Sequence, residues 1–452
     1  MFSDQRLPAA AKKHAFRLGL VAAAMSLLAG AARAENLQEL YDMAHAYDAT
    51  YLAARAQAES AQYKADQAKA LFRPSVAATL STGRRMSELA PSLLNNDLVR
   101  VYGNSSGATI DLRQSLFNRA NSKAVDQAER GLEVSKSQLA AAEQELIIRV
   151  AQAYFDVLAA QDVLTTVKAN KAAISEQLAS AKRNFEVGTA TITDTREAQA
   201  RYDLAVAQEI AANNDLLVKR VTIDQLVGKS GVAPKSLAVP VKLPAFESDR
   251  IDQWVQKAEA EHPSIVQARL GYEIAKLETE KSKAGHLPTL GLTASAGQTR
   301  GWGGAQEINP KSASIGVALS IPIYEGNLTS NRVKETVALE EKSRLDLEAA
   351  RRAVTQLTRQ AYLGVVSGRS SVQAFEAAET SNKLLLESTQ LGYKVGVRVN
   401  LDVLNAQNQL YSTQKDLAKA RYDVIVGGLK LLQASGQLVP TDLVSVNNLV
   451  AK

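Results

Sequence analysis

Apolar and polar positions follow two different periods along this chain, and the change from one period to the other occurs twice. Val125, Leu132, Leu139, Leu146 and Ala153 recur every seven residues, and Leu347, Val354 and Ala361 repeat the last three farther on. A sustained seven-residue period keeps one seam against a partner helix and winds the pair left-handed. Residues 92–233 and 323–439 contain no proline and are rich in Ala, Gln, Glu, Lys and Leu, which are strong helix formers. A single helix over 119–187 would be roughly 100 Å long at about 1.5 Å per residue. That length suits a tube or a rod. Gly188 and Gly396 end these helices, because glycine just past a helix favours the left-handed conformation. Asp194 with Glu197, and Thr193 beside it, read as the cap of a returning helix, and Asp402 stands in the same place in the second stretch.

Ahead of each helical stretch the period drops to two. Val76, Ala78 and Leu80 alternate with Ala77, Thr79 and Ser81, and Ala108, Ile110 and Leu112 with Thr109, Asp111 and Arg113. Leu290, Leu292 and Ala294 alternate with Thr289, Gly291 and Thr293, and Ile315, Val317, Leu319 and Ile321 with Ser314, Gly316, Ala318 and Ser320. Strand pairs are expected over about 75–83 and 105–116, and over about 288–297 and 312–323, with 84–104 and 300–311 as exposed loops. One aliphatic and one small or polar face suit a transmembrane barrel strand; they suit a half-buried sheet in a soluble domain equally well. Trp302, Phe117 and Tyr324 fit interfacial aromatics, although packing alone explains a single aromatic at a strand end. Four strands cannot close a barrel, and an open edge cannot face lipid. If the strands lie in a membrane, several chains must build one barrel; the number of chains does not follow.

The two stretches are copies of one unit. Phe185-Glu-Val-Gly188 followed by Asp194, Ala198 and Gln199 returns as Tyr393-Lys-Val-Gly396 followed by Asp402, Ala406 and Gln407, at an offset of 208. Ala54, Arg55 and Pro74 return as Ala268, Arg269 and Pro288 at an offset of 214. The expected organisation is a repeat over 35–230, a Pro-bearing linker over 231–250, a second repeat over 251–436 and a tail over 437–452.

Composition narrows the function. Residues 1–34 read as a secretory signal peptide, with a basic start, an apolar run from Leu18 to Ala29 and an Ala32-Arg33-Ala34 cleavage site. The run is shorter than the roughly 20 apolar residues a spanning helix needs, and no later segment reaches that length. Without the five basic residues and one acidic residue of that leader, 53 Lys/Arg and 47 Asp/Glu become 48 and 46. So small a surplus gives no case for nucleic acid. The chain has no Cys, which excludes disulfides, thiolate metal sites, a Cys nucleophile and a lipid-bearing N-terminal Cys. His45, His262 and His286 share no ligand spacing, and no phosphate loop or Ser/His/Asp set stands out. No enzyme, metal site or cofactor is expected.

Glu35-Asn-Leu37, Gly285-His-Leu-Pro-Thr-Leu290, Ser320-Ile-Pro-Ile-Tyr324, Tyr393-Lys-Val-Gly396 through Asp402-Val-Leu404, and the stretch from Leu429 to Leu443 resemble the TolC family of outer-membrane efflux and secretion ducts. The likeness runs over the whole chain after the leader and is nearer the non-lipidated branch. It implies an α + β membrane protein forming a homotrimer. Four strands per chain would close a twelve-stranded barrel in outer-membrane lipid, continued by an antiparallel coiled-coil tunnel in the periplasm. It implies that the tips, with Val187, Gly188, Val395 and Gly396, dock on a periplasmic adaptor serving an inner-membrane efflux pump or ABC secretion ATPase. By the same resemblance Tyr393 and Arg398 tie the closed tip to its neighbours, with Asp194 as acidic acceptor and Thr193 beside it. Asp402 matches one of two ring aspartates that bind cations; Asn405 stands where the second belongs. Capping alone would explain Asp194 and Asp402, but not Arg398, whose counterpart is Ala190. A periplasmic coiled-coil scaffold or adaptor without a pore would account for the helices but not for the strands.

Overall fold

A computed structural model describes residues 35–89, 99–237, 250–303 and 306–449. The expected leader, most of the expected linker and the Trp302 side chain lie outside the described residues. The elements, in chain order, are α1 (Leu37–Tyr47), α2 (Ala49–Lys69), β1 (Ser75–Leu89), β2 (Val99–Phe117), α3 (Arg119–Glu186) and α4 (Ile192–Val227). They continue with α5 (Ile251–Glu261), α6 (Pro263–Lys283), β3 (Thr289–Gly303), β4 (Gln306–Ile308), β5 (Lys311–Ser320), α7 (Leu328–Lys394), α8 (Asn400–Ala434) and α9 (Asp442–Asn447).

The 68 residues of α3 and 67 of α7 make each helix about 100 Å long. Each is too long for one partner. Toward the sheet α3 packs on α2 and α6, and α6 on α7; toward the other end α3 packs on α4 and α8, and α8 on α7. The helices therefore form a layer with the order α2–α3–α6–α7 above and α4–α3–α8–α7 below. A one-turn 3-10 helix joins α2 to β1 (Ala70–Phe72) and another joins α6 to β3 (Ala284–His286). Asn118 alone separates β2 from α3, and residues 321–327 lead from β5 to α7. The order of the four long strands, β1–β2–β3–β5, thus repeats the helix order, with the short β4 beside β5 on β3; β1 and β5 are the long edge strands.

The strand register brings the sequence alternation onto common faces. Val76 pairs with Leu112 and Ala78 with Ile110; Leu112 pairs with Ala294 and Ile110 with Ala296; Ala294 then pairs with Ile315 and Leu292 with Val317. Ala77, Thr79, Asp111, Thr109, Thr293, Ser295, Ser314 and Gly316 share the reverse face. The described residues cover neither: Leu80 is 84% exposed, Ile315 77% and every residue of β5 is open. Among the described residues no helix is long and apolar enough to cross a membrane.

Three strand expectations need correction. The first pair extends beyond its expected ends, since Arg84 to Leu89 pair with Asn104 to Val99 where a loop was expected. Ladder bonds use the backbone, so polar side chains do not end them. The same holds for β3, which runs to Gly303 and pairs with β4 there. The last strand ends at Ser320 rather than near 323, because Thr289 has no predecessor in β3 and Pro322 has no N–H to donate. Pro310 likewise separates β4 from β5.

The largest core lies midway along α3. Tyr154, Phe155, Leu146, Ile147 and Val150 are closed off by Leu37 and Leu40 of α1, Ile425 and Leu429 of α8, and Leu443 beside the chain end. Tyr154 Oη donates to the Lys235 carbonyl at 2.7 Å, so its burial leaves no polar atom unpaired. Removing a ring of this kind costs about 3–5 kcal/mol. At the same level Arg149 makes two bonds to Asp48, of 3.0 and 2.9 Å, fixing the α1–α2 corner against α3.

Candidate functional site at the hairpin tips

Both hairpins turn through the same backbone geometry. After α3, Thr189 and Ala190 donate to the Asn184 carbonyl at 2.8 and 3.2 Å; after α7, Val397 and Arg398 donate to the Gly392 carbonyl at 2.9 and 3.2 Å. Gly188 and Gly396 take φ of 77° and 82°, a conformation that a Cβ disfavours. The side chains then diverge. Gly392 lies against Arg398, and a Cβ built there would meet Arg398 Cγ at 2.8 Å. In the first hairpin the large and small residues change places, with Asn184 and Ala190 at these positions.

Asp194 is not the N-cap, contrary to expectation. Thr191 caps α4: its Oγ1 accepts from the Asp194 amide at 3.2 Å, while Asp194 Oδ2 accepts from the Thr191 amide at 3.0 Å and hydroxyl at 2.7 Å. Asp194 is thus the third residue of a reciprocal capping box. Asp402 occupies the corresponding position of α8, but Val399 replaces the hydroxyl residue and offers no side-chain acceptor. Among the described residues the one hydrogen bond that the Asp402 carboxylate accepts comes from the Val399 amide at 3.4 Å, while its own N–H goes to the Val399 carbonyl at 3.1 Å. The second carboxylate is less used by its own turn.

Within one chain Arg398 Nη1 stands 3.7 Å from Asp402 Oδ2, with the two side chains 61% and 37% exposed. So open a pair adds little stability and leaves the guanidinium available to another acceptor. Tyr393 Oη accepts from Asn184 Nδ2 at 3.3 Å, and Asn405 Oδ1 accepts from Arg201 Nη2 at 3.1 Å. These two bonds join the hairpins, and Leu404 is buried between them against Ile174, Leu178, Ala198 and Ala205. Thr193 is exposed, and Val187, Val395 and Val397 are 73%, 66% and 75% exposed. Asn184 and Arg201 were not anticipated. Asn184 had one sequence signal, its place opposite Gly392 in the 208-residue offset; Arg201 had none.

An uncovered sheet of four long strands, continued by two helices about 100 Å long that each fold back at the far end, has the form of a duct wall. The family model described as outer membrane efflux protein matches residues 40–229 and 254–437. The chain is 33% identical to outer membrane protein TolC of Vibrio cholerae, over 94% of this chain and 96% of that one. It is 32% identical to the alkaline protease secretion protein AprF of Pseudomonas aeruginosa, over 94% and 89%. The CmeC outer membrane channel of Campylobacter jejuni superposes with a TM-score of 0.76 at 17% identity, over 91% and 89%. The chain belongs to the outer membrane efflux protein family. It is an outer-membrane efflux or secretion channel whose long helices extend into the periplasm.

Proposed function

We propose that three copies of this duplicated chain join edge to edge, closing a twelve-stranded barrel above a continuous helical tunnel. The carrying observation is that sheet and helix layer share one order and both stop at open edges, β1 with α2 and β5 with α7. Pairing β1 of one chain with β5 of the next satisfies the backbone groups of both edges, as a lipid setting requires. The duplication is supported by the matching turn bonds and by the two family-model segments. A scaffold without a pore would leave the apolar outer face of the sheet unexplained.

The tips are the gate and the docking point in this reading. Arg398, Tyr393, Asp194 and Thr193 tie neighbouring chains together, and Asp402 forms a single carboxylate ring beside Asn405. The exposed Val187, Gly188, Val395 and Gly396 present an apolar surface to a periplasmic adaptor, and through it to an inner-membrane efflux pump or ABC secretion ATPase. Exposure of the Arg398 guanidinium and the light use of Asp402 by its own turn support the gate. In planar bilayers, Arg398→Ala and Tyr393→Phe are expected to raise single-channel conductance. Unchanged conductance in both variants rejects the gate.

A further inference from the structure

The outward, apolar face of the sheet changes character toward the end remote from the helices. Val76, Ala78, Leu112, Ile110, Ala294, Ala296 and Ile315 form its apolar rows. The next row contains Lys311 opposite Gln298, the row beyond it Arg300 opposite Ser106, and the one after that Arg84 opposite Asn104. Register therefore places three bases on this apolar face within three successive rows, all exposed. The Arg84 guanidinium lies 5.5 Å from the centre of the Tyr102 ring, on the same face.

We propose that Arg84, Arg300 and Lys311 bind phosphate-bearing lipid headgroups of the outer leaflet, with Tyr102 holding Arg84 at the interface. The position follows from connectivity. The helices leave the sheet at Ser75, Phe117, Thr289 and Ser320 and extend into the periplasm, so the opposite rim meets the outer leaflet. Alternative uses of these bases fit less well. A pore-selectivity role needs the reverse face, where Arg85 and Arg113 lie instead. A basic residue beside an anionic surface contributes about fivefold to binding, so three give a preference on the order of a hundredfold. The inference rests on the sheet being a barrel wall, and the test separates the two.

The purified full-length protein in neutral detergent is titrated with diphosphorylated lipid A or with phosphatidylcholine and examined by native mass spectrometry. Wild type is expected to retain lipid A at concentrations about a hundredfold below those needed for phosphatidylcholine. The triple variant Arg84→Gln, Arg300→Gln, Lys311→Gln is expected to lose most of that preference. Arg85→Gln, on the reverse face of the same strand, is expected to keep it. Equal retention of both lipids by wild type, an undiminished preference in the triple variant, or an equal loss in Arg85→Gln overturns the proposal. Stripping of lipid A by millimolar inorganic phosphate also overturns it, pointing to a small-anion site. Retention of neither lipid by the trimer removes the barrel wall itself, and this proposal with it.

Discussion

Replacing Asp48 by Asn separates two tasks that one carboxylate performs where α2 begins. Its Oδ1 accepts the Tyr51 amide at 2.8 Å as the helix N-cap, and its two oxygens receive Arg149 at 2.9 and 3.0 Å. The Asp48 side chain is 9% exposed and that of Arg149 32%. Asn keeps a cap acceptor of similar quality but loses the charge. Charge-assisted bonds contribute about 1.5–3 kcal/mol, and the partial exposure of Arg149 favours the lower part of that range. A loss of about 2 kcal/mol corresponds to roughly 30-fold more frequent opening of the first turn of α2. Asp48→Ala also removes the cap, adding about 1 kcal/mol, for a total near 150-fold. The assay is native-state hydrogen exchange at the Tyr51 amide in the detergent-solubilised protein, with the Leu216 amide as an internal control. Exchange in Asp48→Asn within threefold of wild type refutes the ion-pair argument. Equal rates in the Asn and Ala variants refute the cap argument.

The acid response of this corner follows from the same contacts. The Arg149 bonds hold the Asp48 carboxyl below its ordinary range against an opposing desolvation effect. Its stabilisation is therefore present above about pH 4, the unfolded value, and disappears as pH falls through the lower folded value; thermal melts at descending pH check this. Asp162 behaves in the opposite sense: burial raises its carboxyl, partly offset by the 2.6 Å bond from Tyr422 Oη. Its contribution is fully present below the unfolded carboxylate value and is lost as pH rises. Asp162→Asn is thus expected to be neutral or stabilising in melts at pH 7, while Tyr422→Phe destabilises by about 1 kcal/mol or more. At the tip, Asp402→Ala is expected to abolish channel block by multivalent cations. Persistent block would assign that property to another ring. Thr358→Val removes a fully buried hydroxyl that donates toward the Ala434 carbonyl at 2.8 Å and is expected to lower the melting temperature by a few degrees.

Much of the fold was legible because its signals are local and repeated. The seven-residue seam through Leu146 and Ala153 is buried in α3, and that through Leu347 and Val354 in α7. Gly188 and Gly396 turn the chain where the pattern stops, each with positive φ. The alternation through Ile110 and Ile315 survives because the side-chain period of a strand is fixed at two. Strand ends were less legible: Arg84 to Leu89 have polar members, yet pair through the backbone. The N-cap was misplaced by three residues because the side chain of Asp194 offers the same acceptor chemistry as that of Thr191, and only geometry decides which residue precedes the helix. Arg201 with Asn405, and Asn184 with Tyr393, join residues some two hundred positions apart. The repeat places Asn184 opposite Gly392 but does not mark Tyr393 as its partner; the bonds form where the hairpins meet, Arg201 of α4 with Asn405 of α8 and Asn184 of α3 with Tyr393 of α7.

The proposed barrel requires the open edges β1 and β5 to meet between chains. The chain has no Cys, so introduced thiols report without interference. Ala77→Cys on β1 combined with Cys at Ser312, Ser314 or Gly316 on β5 samples the possible registers from the inward face. One of these combinations, oxidised in the outer membrane, is expected to give a covalent species of three chain masses in denaturing gels. Such a species should dissociate on reduction. Oxidised protein that remains monomeric in every combination, or that forms two-chain species without the three-chain ring, rules out a barrel closed by β1 and β5.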